Sequence, residues 1–346
     1  MELHTGTWLD AFRELQDPLA DRVIAKYFPA HKDLLQSHLA SLGHNEDALP
    51  EGAFDELHAL YLNITSTASK FDEEELLKGQ DFFNVYASDI MLLLGFLSLP
   101  YCYTAAYGAE VLVKSKRILD DPARRLMDTA GFVFDVTNKK AFKPEGNALI
   151  SILNVRLLHS VTRWYISQSG DWNDSEKGKP INQEDMAGTN LSFSLIAIRG
   201  LRKLGRFIEP RLAYDYINYW NKIGLLLGLD PRLLPDSNKD AFQLEKDIRT
   251  RHFRTSEAGV LLTDSLYRYY EKAVIDSPLE GLTKPFMIHL LGDKVARQLG
   301  LEVSNYDRLV FKPYQLFLNF RNYFFDTQDS YAKAYARFKE NSLDET

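Results

Sequence analysis

The chain has 346 residues, of which 45% are apolar and 26% charged, a balance that excludes an intrinsically disordered protein. Its 41 Lys and Arg residues against 48 Asp and Glu residues give a net charge of −7, which argues against a nucleic-acid partner. The single cysteine, Cys102, excludes an intrachain disulfide and any four-cysteine zinc or iron–sulfur site within one chain.

Helical periodicity dominates the sequence, whereas alternating strand patterns are scarce. In several segments apolar residues recur at three- and four-residue steps, the spacing of one helix face: Phe54, Leu57, Leu60, Tyr61 and Ile64; Ile152, Val155, Leu158 and Thr162; Leu191, Leu195, Ile198, Leu201 and Leu204. We therefore predict an all-α fold. Its parts are a helical N-terminal extension (1–75), a central domain (76–305) and a helical C-terminal extension (306–346) packed on that domain.

A run without charged side chains, residues 90–109, is long enough to cross a bilayer. Pro100 interrupts its middle, and its second half carries several Tyr, Ser and Thr residues. We predict two helical segments that meet at Pro100 in a protein core, with no stable membrane span. The first ten residues lack the apolar core of a signal peptide, so a cytoplasmic location is expected.

Two helix starts carry a physical signal. Asn182 can accept hydrogen bonds from the free amides of a first helical turn, and Glu184 and Asp185 then lie at the positive helix end. Asp121 followed by Pro122 has the pattern of a cap and a first-turn proline.

The histidines divide by context. We expect surface positions for those in polar or charged segments, and a buried position for His289 in its apolar run; the surface group is His4, His31, His38, His44, His58 and His252. His159 lies on a predicted helix, with Arg156 three residues before it and Arg163 four residues after it on the same side.

Nearby arginine charges favour the neutral imidazole of His159, the form that binds metals. Arginines in this position can also pair with haem propionates. A core histidine flanked by two surface arginines fits the same pattern, so the residues alone leave both interpretations open.

An ordered set of sequence blocks resembles the catalytic domain family of the rubber oxygenases, or latex clearing proteins. This family also includes the fungal oxygenase that shortens a farnesyl chain in mycophenolic acid biosynthesis. The blocks extend over residues 90–301 and are 92–100, 125–129, 155–159, 178–186, 193–194, 201–205, Trp220, 224–228, 290–294 and 299–301.

The resemblance implies a globin-like helical core that holds haem b and uses dioxygen on an apolar, unsaturated, isoprenoid-like small molecule. In the family reaction a carbon–carbon double bond is cleaved to two carbonyl ends. His159 falls on the family's proximal iron ligand, and Arg125 and Thr129 fall on residues that line the haem pocket. Arg156 and Arg163 are further candidates for binding the cofactor. Glu110 is the acid nearest to the family's base, which would accept an allylic proton.

This sequence also departs from the family pattern. Asp128 stands where rubber-cleaving members have a lysine, and the expected lack of an export signal makes extracellular rubber an unexpected substrate. Two alternatives therefore remain: a haem-binding sensor, carrier or weak peroxidase without oxygenase turnover, and a haem-free helical protein that binds a lipid or a partner.

Several assigned residues have structural alternatives. Arg125 could pair with Asp121 or Asp128, and Glu110 with Lys114. The 182–185 block could simply cap a helix, or it could orient His159.

Overall fold

A computed structural model describes residues 7–115, 122–277, 279–307, 309 and 330–343. Throughout these ranges the regular structure is helical, and the β-structure recorded there is one isolated bridge between Ala105 and Phe253. The predicted all-α fold is confirmed. The predicted cap Asp121 and the predicted surface residue His4 lie outside the described residues.

The elements of the first part of the chain are the 3₁₀-helix Thr7–Glu14, α1 (Pro18–Tyr27), α2 (Lys32–Ala40), α3 (Asp55–Ala68), α4 (Glu73–Leu93), the π-helical turn Leu94–Ser98, α5 (Leu99–Tyr103) and α6 (Ala106–Lys114). Those that follow are α7 (Pro122–Thr137), α8 (Ala148–Ser169), α9 (Asp174–Lys177), α10 (Gln183–Leu191), the π-helical turn Ser192–Ile196, α11 (Ala197–Lys203), α12 (Pro210–Leu226), the 3₁₀-helix Pro231–Leu233, α13 (Asn238–His252), α14 (Glu257–Ala273), α15 (Thr283–Leu291), α16 (Asp293–Gln298) and α17 (Ser330–Leu343).

Side-chain caps explain where several helices begin. The Asn182 side chain accepts a 3.0 Å hydrogen bond from the Asp185 amide at the start of α10, which confirms the predicted cap. Asp17 caps α1 in the same way through the Ala20 amide, and proline follows it in the first turn.

The core forms around α4 and α8, each of which packs against several other helices. Helix α4 packs against α7, α11, α12 and α17, while α8 packs against α1, α3 and α7. The predicted apolar stripe of α3 is buried, as are the large side chains of Trp220, Tyr219 and Phe83. The polar N-terminal segment therefore contributes α1 and α3 to the same core as the central helices.

The helical run does not break at Pro100, in contrast to the sequence prediction. Pro100 lies in the first turn of α5, and the interruption falls at Thr104 and Ala105, just before α6. The π-helical turn precedes the proline, and the Leu99 amide there donates to the Leu94 carbonyl five residues back. Pro100 therefore lies inside a continuous helical run, directly after a turn whose hydrogen bonds span five residues.

One helical run in the described residues, Glu73–Tyr103, is long and apolar enough to cross a membrane by length and composition. Half of its most apolar window is buried inside the fold. The core helix of a soluble protein meets the same criteria.

Candidate active site

A cavity of about 320 Å³ lies between α5, α6, α7, α8, α10, α12 and α13, and both π-helical turns line it. Its walls are mainly aliphatic and aromatic, as is usual for small-molecule sites. The predicted apolar face of α8 is one of these walls: Val155, Leu158 and Thr162 face the cavity.

His159 lies on this same face of α8 and lines the cavity. Burial lowers its pKa to about 3, and the charges of Arg163 and Arg125 lower it further. The imidazole is therefore neutral in the folded protein at physiological pH, which is the form that coordinates a metal.

Helix α7 brings Arg125 and Thr129 to the cavity from a second wall, together with Asp128. The Thr129 hydroxyl donates a 2.9 Å hydrogen bond to the Arg125 carbonyl one turn earlier, which fixes its rotamer. Three of the predicted site residues, His159, Arg125 and Thr129, thus surround one cavity, although His159 lies 30 positions after Thr129 in the sequence.

Arg156 and Arg163 are not brought to this cavity, despite their spacing around His159. The Arg156 guanidinium donates to Asp17 from Nε at 2.7 Å and from Nη2 at 2.8 Å, and it also donates to Asn63 and to a backbone carbonyl. Arg163 donates to Asp21 at 2.6 Å from Nη2. Both side chains are buried by acidic residues from the N-terminal segment, so neither the cofactor role nor the surface position expected for them is seen.

Glu110 is likewise held away from the cavity. Both of its carboxylate oxygens accept hydrogen bonds from the Lys177 ammonium at 2.7 Å, and Lys114 lies 4.0 Å away. Its neighbours Gly108 and Val111 line the cavity, whereas Glu110 itself does not. The predicted base is therefore on the outer side of α6, because its helical position turns it away from the enclosed space.

The 182–185 block carries more than a helix cap. Burial opposes ionisation of Glu184, but the hydrogen bonds and charges of His252 and Arg251 outweigh it and lower the pKa of this carboxyl. The His252 Nε2 lies 2.9 Å from the Glu184 carboxylate, so His252 is buried rather than on the surface as predicted. None of the contacts recorded for the block reaches His159.

Asp185 and His252 both line the cavity, and sequence reasoning missed their role there. Burial raises the pKa of Asp185, although the Arg13 guanidinium at 3.5 Å opposes this. The sequence signal that could have indicated this role was the predicted cap. In a capped first turn two successive acids, here Glu184 and Asp185, point in different directions and contact different neighbours.

A second charged group lies at the same wall. Glu245 receives hydrogen bonds from Tyr101 and from Arg249, the latter at 2.8 Å, and Arg199 pairs with its other oxygen at 2.6 Å. Burial opposes ionisation of Glu245, but Arg199 and the other donors lower its pKa, so this carboxylate stays charged. Asp185 is thus the cavity carboxyl with the raised pKa, and Glu245 the one with the lowered pKa.

The two π-helical turns contact each other beside the cavity. The Ser98 hydroxyl donates a 2.7 Å hydrogen bond to the Ser192 carbonyl, and the Cys102 thiol donates to the Ser192 hydroxyl at 3.1 Å. Burial raises the pKa of Cys102 to about 11, so the thiol is protonated at neutral pH. Such turns widen a helix and are frequent at functional sites.

Comparison with known proteins identifies the family. A family model described as "ER-bound oxygenase mpaB/B'/Rubber oxygenase, catalytic domain" matches residues 84–320, more than half of the chain. The chain belongs to this family. It is an oxygenase, and the family resemblance drawn from the ordered sequence blocks is confirmed.

Two similar proteins match this chain over most of its length. The rubber oxygenase of Streptomyces sp. (strain K30) is 25% identical over 328 residues, which cover 92% of this chain and 78% of that protein. The solved structure of latex clearing protein LCP in the closed state superposes with a TM-score of 0.77 at 23% identity, covering 89% of this chain and 84% of that one. The second likeness supports the helical fold.

The cavity described above belongs to the oxygenase domain, because the lining residues that the structure describes, Leu94 to Phe253, all fall within the matched range. In the described part of the chain no three His, Cys, Asp or Glu side chains are grouped so as to hold a metal ion. Haem needs only one protein nitrogen, so the donor set of this cavity, a neutral His159 among apolar walls with Arg125 nearby, fits a haem.

Proposed function

We propose that this oxygenase is haem b-dependent and uses dioxygen on an apolar, unsaturated, isoprenoid-like small molecule, with oxidative cleavage of a carbon–carbon double bond as the reaction. One observation carries the proposal: a neutral, desolvated His159 shares an apolar cavity with Arg125 and Thr129. The curated relative is named rubber oxygenase, and rubber is a polyisoprene, which supports the isoprenoid class of substrate.

His159 would hold the haem iron through an imidazole nitrogen, and Arg125, which lines the same cavity, would pair with a propionate. When bound, the haem supplies the activation of dioxygen. The protein contributes orientation, a dry environment and proton handling around the substrate.

The low pKa of His159 favours its proposed role as a ligand of the haem iron. Because burial and two arginine charges suppress its protonation, the imidazole lone pair stays available well below neutral pH. In mildly acidic solution a histidine with an ordinary pKa would be partly protonated, and protons would compete with the metal for its lone pair.

Asp185 is the carboxyl best suited to accept a proton from the substrate. It lines the cavity and its pKa is raised by burial, which brings proton exchange closer to neutral pH. Glu110, in contrast, faces Lys177 outside the cavity. Asp185 therefore takes the place of Glu110 as the candidate base.

The test is turnover by protein purified from haem-supplemented cells. Farnesol and squalene are incubated with the protein under ¹⁸O₂, and the products are analysed by mass spectrometry. We expect aldehyde or ketone fragments that carry ¹⁸O and that are absent with the His159→Ala variant. A haem-loaded protein that yields no labelled product from either olefin contradicts the proposal.

A further inference from the structure

Gly108 lies in the first turn of α6 and lines the cavity. A Cβ built on Gly108 meets no atom within 4 Å among the residues that the structure describes. Its backbone is not among the positive-φ positions, so the helix geometry does not require glycine there.

Two other helical glycines, Gly79 and Gly95, have a packing reason. A Cβ at Gly79 would collide with the Tyr219 side chain, and one at Gly95 would collide with the Tyr270 hydroxyl. Gly108 has neither a neighbour of that kind in the described residues nor a special φ, and glycine is a poorer helix former than alanine. The fold alone therefore gives no reason for glycine at this position.

The position of α6 separates the open space beside Gly108 from the wall that carries His159. Helix α6 packs chiefly against α5 and α14, whereas α8, which carries His159, packs chiefly against α1, α3 and α7. Both helices line the same cavity, so Gly108 faces it from a wall other than that of His159. Ala105, the residue that directly precedes α6, also lines the cavity and adds a second small residue there.

We infer that Gly108 is a specificity-determining residue, whose bare backbone makes room for the methyl-branched chain of the substrate. The inference rests on the proposed function for its substrate class. A side chain at position 108 would occupy the volume that the isoprenoid chain needs, while leaving the wall of His159 unchanged.

The experiment compares the haem-loaded full-length parent with Gly108→Leu, Gly108→Ala and the control Gly131→Ala. Gly131 lies inside α7, does not line the cavity, and a Cβ there makes an ordinary contact at 3.6 Å with Phe338. Haem content is measured by pyridine haemochrome and the Kd of farnesol by equilibrium dialysis. We expect Gly108→Leu to keep its haem and to raise the farnesol Kd by about tenfold or more.

Gly108→Ala should raise the Kd by about threefold, and it keeps the test decisive if the leucine variant does not fold. Gly131→Ala should leave Kd and haem content unchanged. An unchanged farnesol Kd in both Gly108 variants overturns the inference, as does a parent that binds no farnesol. Loss of haem from Gly108→Leu also overturns it, because the space would then belong to the cofactor.

Failure of the inference and failure of the proposed function give different results. If the parent and the Gly108 variants oxidise farnesol equally well, only the specificity role is refuted. A parent whose farnesol binding depends on Gly108, but which forms no oxygenated product, refutes the proposed function and retains the specificity role.

Discussion

Arg156 and Asp17 form a two-point ion pair inside the protein, with Nε–Oδ2 and Nη2–Oδ1 distances of 2.7 and 2.8 Å. The pair joins the middle of α8 to the start of α1, and both side chains are at least nine-tenths buried. Because His159 lies one turn along α8, this pair helps to hold the helix that carries the candidate iron ligand.

Replacing Arg156 by Gln should lower the free energy of unfolding by about 3–5 kcal/mol, because Asp17 is left as a buried, uncompensated charge. Urea denaturation of the purified protein measures this change. The control is Arg268→Ala, which removes an exposed i,i+4 pair with Asp264 and should cost less than about 0.5 kcal/mol. If the two variants lose the same free energy of unfolding, the buried pair stabilises the protein no more than an exposed pair does.

The pKa of His159 predicts a pH-dependent stability of the haem-free protein. Its folded value of about 3 lies below the ordinary histidine value of 6.5, so the unfolded state takes up a proton first as the pH falls. The stability that the neutral histidine contributes is complete above pH 6.5 and declines below it by up to about 1.4 kcal/mol per pH unit.

The measurement is urea unfolding of the haem-free parent and of His159→Gln between pH 7.5 and pH 5. The parent should lose stability relative to the variant as the pH falls, and the difference should level off above pH 7. Parallel pH profiles for the two proteins would mean that the pKa of His159 is the same in the folded and unfolded states.

Cys102 provides a chemical probe of the cavity, because it is the chain's single cysteine. With a pKa of about 11, its thiolate fraction at pH 8 is on the order of one in a thousand. Alkylation by iodoacetamide at pH 8 should therefore be far slower than that of glutathione, and unfolding in urea should restore the ordinary rate. Rapid labelling of the folded protein would contradict the buried, protonated thiol.

Asp185 and Glu110 make opposite predictions for turnover. Asp185→Asn should reduce product formation by about 100-fold with haem content retained, because the cavity loses the carboxyl whose raised pKa suits proton transfer. Glu110→Gln breaks only the pair with Lys177 and should leave turnover unchanged. If Glu110→Gln abolishes turnover while Asp185→Asn does not, the base assigned from the family resemblance is the correct one.

Local sequence patterns predicted the helices and one wall of the site. The stripe of α8 that includes Val155, Leu158 and Thr162 follows helical periodicity, and the structure places it at the cavity wall. Periodicity could not show that this face borders a cavity, because core and cavity both exclude water. The cap at Asn182 was also predictable from the local sequence, because its partner, the Asp185 amide, is three residues away.

The errors concern residues whose partners are distant in the sequence. Arg156 pairs with a residue 139 positions away, so the local sequence could not show its buried partner. The local prediction for Glu110, a pair with Lys114, is seen at 4.0 Å, but its closer partner Lys177 lies 67 positions away. His252 lies in a charged run typical of a surface, but its side chain is buried in contact with the Glu184 carboxylate. The resemblance supplied what local patterns could not, namely that Arg125, Thr129 and His159 share one pocket.

The haem content of the purified protein tests the central claim most directly. The parent, His159→Ala and the exposed-histidine control His58→Ala are expressed together in haem-supplemented cells and compared by Soret absorption and pyridine haemochrome. We expect stoichiometric haem b in the parent and in His58→Ala, and little or none in His159→Ala. A colourless parent, or a His159→Ala variant that retains as much haem as the parent, would contradict it.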